Sequence, residues 1–299
     1  MNVAAVFNKT GMTNSIDFKH VARALTIVEN YLPGSQELLK GLTFNNPAPV
    51  IGITGPPGAG KSTLVNALID LLLKDGNKIA VLAIDPTSPF NFGSLLGDRI
   101  RMSSHFNHPD VFIRSLATRG SLGGLSAKTI EMSDVLRAAG FDYVLIETVG
   151  VGQSEIEISG LADVTLVVLV PEGGDEVQHI KSGLMEIADA FIVNKADRAD
   201  ADVFANNLKK IIGQKKDGQP PVFKTTASLG AGIAEVAEFI KTPAQIKNPR
   251  RKLLLTEKAY KLLAYKLTQH IDKKKLQQDV AEALKHQDFN LYSFVDSYL

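Results

Sequence analysis

Gly55, Gly60, Lys61 and Ser62 fit the spacing G-x-x-x-x-G-K-[ST] inside VIGITGPPGAGKSTLVNAL, residues 50–68. The chemistry this pattern supports is phosphate binding. A loop that leaves a strand and opens a helix turns several backbone N–H groups toward one point. Its glycines let the backbone approach phosphate oxygens with no Cβ in the way. The helix N-terminus adds a favourable dipole. The Lys61 ammonium suits β- and γ-phosphate oxygens, and the Ser62 hydroxyl is a hard donor for magnesium. Gly55, Pro57, Gly58, Ala59, Gly60, Lys61, Ser62 and Thr63 are the candidate contacts to a nucleoside triphosphate.

A second motif, Asn194-Lys195-Ala196-Asp197, ends the run AFIVN. A carboxylate at Asp197 can accept from guanine N1–H and the 2-amine. Adenine offers an acceptor at N1 and no 2-amine, so buried polar groups would go unpaired at about 1–3 kcal/mol each. Asn194 can steady the loop and the base edge, and the Lys195 stem can lie along the ring. Ala227, in Thr-Ala-Ser at 226–228, could offer its N–H to guanine O6. Either segment could instead be a solvated turn. Three acids are candidates for the magnesium site: Asp85 ending KIAVLAID, Glu147 ending DYVLIET, and Asp98 in GSLLGDRIRM. Each could instead cap a helix or lie on the surface. Gly150, in E-T-V-G, is placed to turn an N–H toward a γ-phosphate.

The elements that must position these residues alternate. PVIGITG, KIAVLAID, VFIRSLA, DYVLIET, DVTLVVLVP, AFIVNKAD and VFKTTAS read as strands. KSTLVNALIDLLLKDG, GLSAKTIEMSDVLRAAG, DEVQHIKSGLMEIAD and ADVFANNLKKIIG read as helices between them. Apolar strands separated by amphipathic helices imply an α/β fold, a mainly parallel sheet covered on both faces. Helical periodicity at 18–33 and in QELLKGLT precedes the break at NNPAP. After KTPAQIKNPRR the pattern turns all-helical, in LLLTEKAYKLLAYKLTQHI, KLQQDVAEALKHQ and LYSFVDSYL. The expected division is an N-terminal helical extension at 1–47, a nucleotide-binding domain at 48–243 and a C-terminal helical extension at 244–299.

A net charge of +1 gives no argument for a nucleic-acid partner, and Lys273, Lys274 and Lys275 read as a solvated helix face. Arg250, Arg251 and Lys252 read as a linker before a helix. The apolar runs fall short of the roughly 20 residues a membrane span needs, so no membrane partner is expected. With no cysteine there is no disulfide framework and no thiolate metal site. The first residues lack a basic start and an apolar run, so no signal peptide and a soluble, cytoplasmic protein are expected.

In order along the chain, IGITGPPGAGKSTL, AIDPTSP, GSLLGDRIRM, TRGSLGGLS, DYVLIETVGVGQSE and NKAD closely resemble the MeaB/ArgK group of P-loop GTPases, which includes the methylmalonic aciduria type A protein. The likeness runs from ARALTIVEN near residue 22 to at least Ile233. E-T-V-G-V-G-Q-S-E stands where ordinary small GTPases have D-x-x-G. The resemblance implies a G-protein chaperone of an adenosylcobalamin-dependent acyl-CoA mutase, mainly methylmalonyl-CoA mutase. Such proteins gate cofactor loading and protect the mutase. It implies a homodimer with helical extensions at both ends of the G domain, and GTP or GDP with Mg2+ as the bound groups. By resemblance Lys61 and Ser62 serve phosphate and magnesium, Asp85, Asp98 and Glu147 lie in switch segments around the metal, and Asn194, Lys195 and Asp197 read guanine. PEGGDEVQHIKSG, 171–183, resembles a third switch that contacts the mutase, with Asp175, Gln178 and Lys181 at matching positions. Lys61, Glu147, Asp98 and Lys181 are the candidate catalytic residues. Asn91-Phe92-Gly93 departs from a usual Gly-Gly pair, and Arg99-Ile100 from a common Lys-Thr.

The residue after the switch glycine is Val151, where a water-orienting glutamine is usual, with Gln153 nearby. Such a site implies weak intrinsic turnover, raised when a partner orders the switches. Arg119 could stabilise charge or form a structural salt bridge. Rival readings are a nickel-delivery GTPase, a P-loop kinase, and a scaffold that binds GTP without turnover. The first needs metal ligands, and His105 with His108, the only close histidine pair, reads as a surface turn. The second usually reads adenine, which NKAD argues against. Single-turnover hydrolysis separates the third from an enzyme.

Overall fold

The computed structural model describes residues 16–44, 46–85, 102–117, 127–148, 158–171, 182–213, 219–241, 251–286 and 289–298 of the chain. By compactness the chain divides into two units, Met1–Leu255 and Thr256–Leu299. The first is built on seven described strands: β1 (Val50–Thr54), β2 (Ile79–Asp85), β3 (Val111–Ala117), β4 (Tyr143–Thr148), β5 (Val164–Leu169), β6 (Ala190–Val193) and β7 (Val222–Lys224). All pair in parallel, in the order β3-β2-β4-β1-β5-β6-β7. The expected α/β architecture is the observed one.

The helices of this unit are α1 (Phe18–Glu29), α2 (Ser35–Lys40), α3 (Lys61–Lys74), α4 (Ala127–Ala138), α5 (Ser182–Ile187), α6 (Ala201–Ile212) and α7 (Ile233–Ile240). β1 is buried at every position. Because alternate strand residues face opposite sides, Ile51 and Ile53 join Leu64, Leu68 and Leu72 of α3 and Ile233, Val236 and Ile240 of α7 in one core cluster. Gly52 faces the other way. A Cβ there would come within 2.6 Å of Ile158 Cγ1 and 2.9 Å of Ala162 Cβ. The absent side chain is what lets the 3-10 turn Ile158–Gly160 lie flat on β1.

α1 and α2 precede β1 along the chain. Asp17 caps α1, accepting from Lys19 N at 2.9 Å and His20 N at 3.2 Å. At the other end Arg114 of β3 donates to Glu29 at 2.6 Å. Tyr31, left-handed at φ 51°, donates to Glu131 of α4 at 3.2 Å. Lys128 lies 4.5 Å from the Tyr31 ring centre and also bonds the Glu29 carbonyl. Phe18 stacks on Phe141 and meets Phe112 edge-on. The Arg114–Glu29 pair is partly buried, and together these contacts tie the helix to the sheet.

The second unit holds most of α8 (Arg251–Thr268), with α9 (Lys273–Ala283) and α10 (Leu291–Asp296). Asp272 and Asn290 cap α9 and α10. Phe294 packs between Phe289 and Tyr298. Lys273, Lys274 and Lys275 are exposed, as their solvated-face reading expects. Among the described residues no helix is long and apolar enough to cross a membrane.

Candidate nucleotide-binding site

Parallel sheets of this kind present their ligand crevices beyond the C-terminal strand ends, where the chain changes direction. Here β1 leads through α3 toward β2, while β5 leads toward β6. The loop between β1 and α3 is shaped by three glycines at positive φ: Gly55 at 140°, Gly58 at 77° and Gly60 at 84°. Their constraints differ. A Cβ on Gly55 would lie 2.1 Å from the Val168 carbonyl oxygen of β5, and one on Gly60 would lie 2.3 Å from Asn194 Nδ2. Gly58 has open space around it, so conformation alone calls for glycine there.

Gly60 opens α3 with no side-chain cap, and no acid occupies the first turn. The N–H groups of that turn are a ready anion site. Lys61, only 7% exposed, folds across the loop and donates to the Gly55 carbonyl at 2.8 Å and the Pro56 carbonyl at 3.0 Å. Its charge is thereby held at the loop's mouth. Ser62 donates to Glu147 Oε1 at 2.7 Å, both side chains being buried. Glu147 pairs with Ile53 across the β4–β1 ladder, so the register of two strands brings together groups 85 residues apart. Thr63 is exposed.

Asn194, 2% exposed, is a hub. Its Nδ2 donates to the Ala59 carbonyl at 2.9 Å. Its Oδ1 accepts from Thr225 Oγ1 and from the Ala227 N–H, each at 3.1 Å. One side chain therefore joins the phosphate loop to the loops after β6 and β7. The Ala227 N–H, considered above as a donor to guanine O6, is directed at this oxygen. Thr225 was not among the expected site residues. The hint was its place directly after VFK, one residue before the segment that was considered. Lys195 holds φ 56° in the left-handed region, and Ala196 N donates to the Thr225 carbonyl at 2.9 Å. A strained backbone here persists because both flanks are bonded. Asp197 follows, exposed at the loop's surface. Nearby, Lys224 bonds Asp202 of α6 at 2.5 Å and holds its carboxyl below the usual range.

Asp85 ends β2 opposite Ala117, and its side chain lies outside the described residues. Asp98, Lys181, Gly150, Val151, Gln153, Arg119, Asp175 and Gln178 also fall outside them, as do Asn91, Phe92, Arg99 and Ile100. His105 departs from a surface turn: it is 6% exposed, with Nε2 3.5 Å from Asp70 on α3. His108 Nδ1 accepts from Asp110 N at 3.2 Å, a turn contact. Among the described residues no cluster of three or more His, Cys, Asp or Glu could hold a metal.

Comparison with known proteins bears on this geometry. The family model described as methylmalonyl-CoA mutase-associated GTPase MeaB matches residues 21–282. A Pyrococcus abyssi protein named as a GTPase is 47% identical over 255 residues, 81% of this chain and 79% of that protein. GTPase ArgK of Escherichia coli is 40% identical over 228 residues, 72% of this chain and 69% of its own. The mouse protein named methylmalonic aciduria type A homolog, mitochondrial, is 38% identical over 210 residues, 68% of this chain and 49% of its own. A solved structure titled LAO/AO transport system kinase superposes with a TM-score of 0.68 over 99% of this chain and 95% of that one. Its sequence is 24% identical, so it speaks for the fold alone. A match over nearly the whole chain, joined to a glycine-framed phosphate loop on a parallel sheet, makes this protein a member of the MeaB family of P-loop GTPases.

Proposed function

We propose that this GTPase works with magnesium as the chaperone of an adenosylcobalamin-dependent acyl-CoA mutase, methylmalonyl-CoA mutase being the one its family's description names. The observation that carries the chemistry is the buried Ser62–Glu147 contact of 2.7 Å, in the first turn of the helix that Lys61 opens. A hydroxyl and a carboxylate are hard oxygen donors, the set that suits Mg2+. Both are buried and bonded to each other, and together they would hold the ion. The residues therefore fit the ion, with Asp85 and Asp98 as further candidates. When bound, the ion offsets the negative charge of the phosphates.

The protein's own groups do the rest. The loop amides and the α3 N-terminus bind the phosphates, and Lys61 supplies a cation for the β- and γ-phosphates. Asp197 accepts from guanine N1–H and the 2-amine, on a loop that Asn194 ties to the phosphate cradle. Asp98 and Lys181 remain candidates for ordering the reacting groups. Val151 follows Gly150 where a water-orienting glutamine is usual, so a partner would raise turnover by ordering the switches. In a homodimer, the apolar side chains of Tyr260, Leu263, Leu267 and Leu284 in the C-terminal helices would supply the contact surface. A chain free of cysteine suits the cytoplasm.

The test is single-turnover GTP hydrolysis with and without purified methylmalonyl-CoA mutase. Acceleration of about tenfold or more is expected, well inside the range seen when a partner completes a GTPase site. Equal rates with the mutase present and absent would overturn the chaperone reading.

A further inference from the structure

We propose that Thr54 and Thr148 are positioning residues, a buried hydroxyl pair that holds Glu147 on Ser62 by locking the end of β4 to the end of β1. The inference rests on the reading of Ser62 and Glu147 as the magnesium pair, and it reaches two residues that touch neither metal nor nucleotide in that reading.

Thr54 is the last residue of β1 and Thr148 the last of β4. Both are fully buried. Thr148 Oγ1 donates to Thr54 Oγ1 at 2.9 Å, with the Ile53 carbonyl at 3.4 Å. The register places this contact one step beyond the Ile53–Glu147 pair, so a side-chain bond extends the ladder at the edge where the site begins. Gly55, which starts the phosphate loop, follows Thr54 directly, and Glu147 precedes Thr148 directly.

Sequence economy argues against a packing role alone. Valine fills the same volume, prefers strands, and buries no hydroxyl. Most neighbouring positions use that solution: Val144, Leu145 and Ile146 on β4, Ile51 and Ile53 on β1. A buried hydroxyl is unfavourable unless it is bonded, and here Thr148 donates to Thr54 and lies within reach of the Ile53 carbonyl. Thr148 pairs with Ile84 of β2 and Thr54 with Val167 of β5, but the pairing between β1 and β4 stops at Ile53–Glu147, so a loosening of this one seam would shift Glu147 relative to a serine that α3 holds fixed. A hydroxyl bond at this step resists that motion, whereas two valines would pack without direction.

The experiment compares Thr148→Val, Thr148→Ser and Thr54→Val in the full chain. Two readouts are taken: the magnesium concentration that half-saturates GTP hydrolysis, and the gain in fluorescent-GDP affinity on adding magnesium. For Thr148→Val the half-saturating magnesium is expected to rise about fivefold, as one lost neutral hydrogen bond implies. The magnesium-linked gain in GDP affinity should shrink by the same factor, while GDP affinity in EDTA stays as in the parent. Thr148→Ser keeps the hydroxyl and should stay within about twofold of the parent. Thr54→Val should reproduce Thr148→Val, and the double valine variant should be no worse than either single one. If Thr148→Val does not fold, Thr54→Val carries the same comparison. Parental magnesium dependence in the folded valine variants overturns the inference and leaves the metal reading standing. A parent protein indifferent to magnesium overturns the metal reading and this inference with it.

Discussion

Replacing Asp197 by asparagine is expected to weaken GTP binding by about 100- to 1000-fold and to raise affinity for xanthosine triphosphate. One carboxylate accepts two hydrogen bonds from guanine in the proposed site. Asparagine turns one of those oxygens into an NH2, which meets the guanine 2-amine donor to donor. Bonds to charged groups contribute about 1.5–3 kcal/mol each, and each 1.4 kcal/mol is tenfold in affinity. Xanthine carries a carbonyl where guanine has its 2-amine, so the new NH2 gains a partner. Asp197 is exposed and stands after a loop fixed by Asn194 and by the Ala196–Thr225 bond. The fold should therefore be untouched, and melting temperatures should match. Competition titrations with the two triphosphates measure the switch. Unchanged GTP affinity in the variant would show that Asp197 does not read the base.

Removing the Lys61 side chain has the other large expected effect. Lys61→Ala should lower single-turnover hydrolysis by about 1000-fold, as loss of a preorganised charge at a reacting centre does. The structure adds a second consequence. The ammonium is bonded to the Gly55 and Pro56 carbonyls, so its loss also leaves the loop's first turn without its tie. Nucleotide affinity should then fall together with the rate. Lys61→Arg should not restore activity, because a planar guanidinium cannot replace a compact ammonium in a space that leaves the side chain 7% exposed. Quench-flow rates and fluorescent-nucleotide affinity measure the two losses. A rate loss with affinity intact would confine Lys61 to the chemical step.

Much of this architecture is legible along the chain because its signals are local. VIGIT and YVLIET are buried at every position, their apolar residues run together up to the polar ends at the site, and each is a strand. The glycines of the phosphate loop announce a positive-φ backbone that residues with a Cβ rarely adopt. Contacts between distant strands are not local, and they were missed. Asn194 bonds Ala59 across 135 residues, and Thr148 meets Thr54 only because β4 lies beside β1 in register. The helix Ile233–Ile240 was not expected either. Eight residues give barely two turns of periodicity, and its helical state draws on the core it shares with α3. His105 reads as a loop residue, yet its 3-10 turn buries it against α3. In each case tertiary packing decided what sequence spacing left open.

Calorimetric titration of the protein with GTP and with ATP, both in excess magnesium, tests the central claim most directly. A carboxylate at Asp197 and a glycine-framed cradle tied together by Asn194 should hold GTP at least about 100-fold more tightly than ATP, the equivalent of two polar groups left unpaired by adenine. ATP held as tightly as GTP would contradict it.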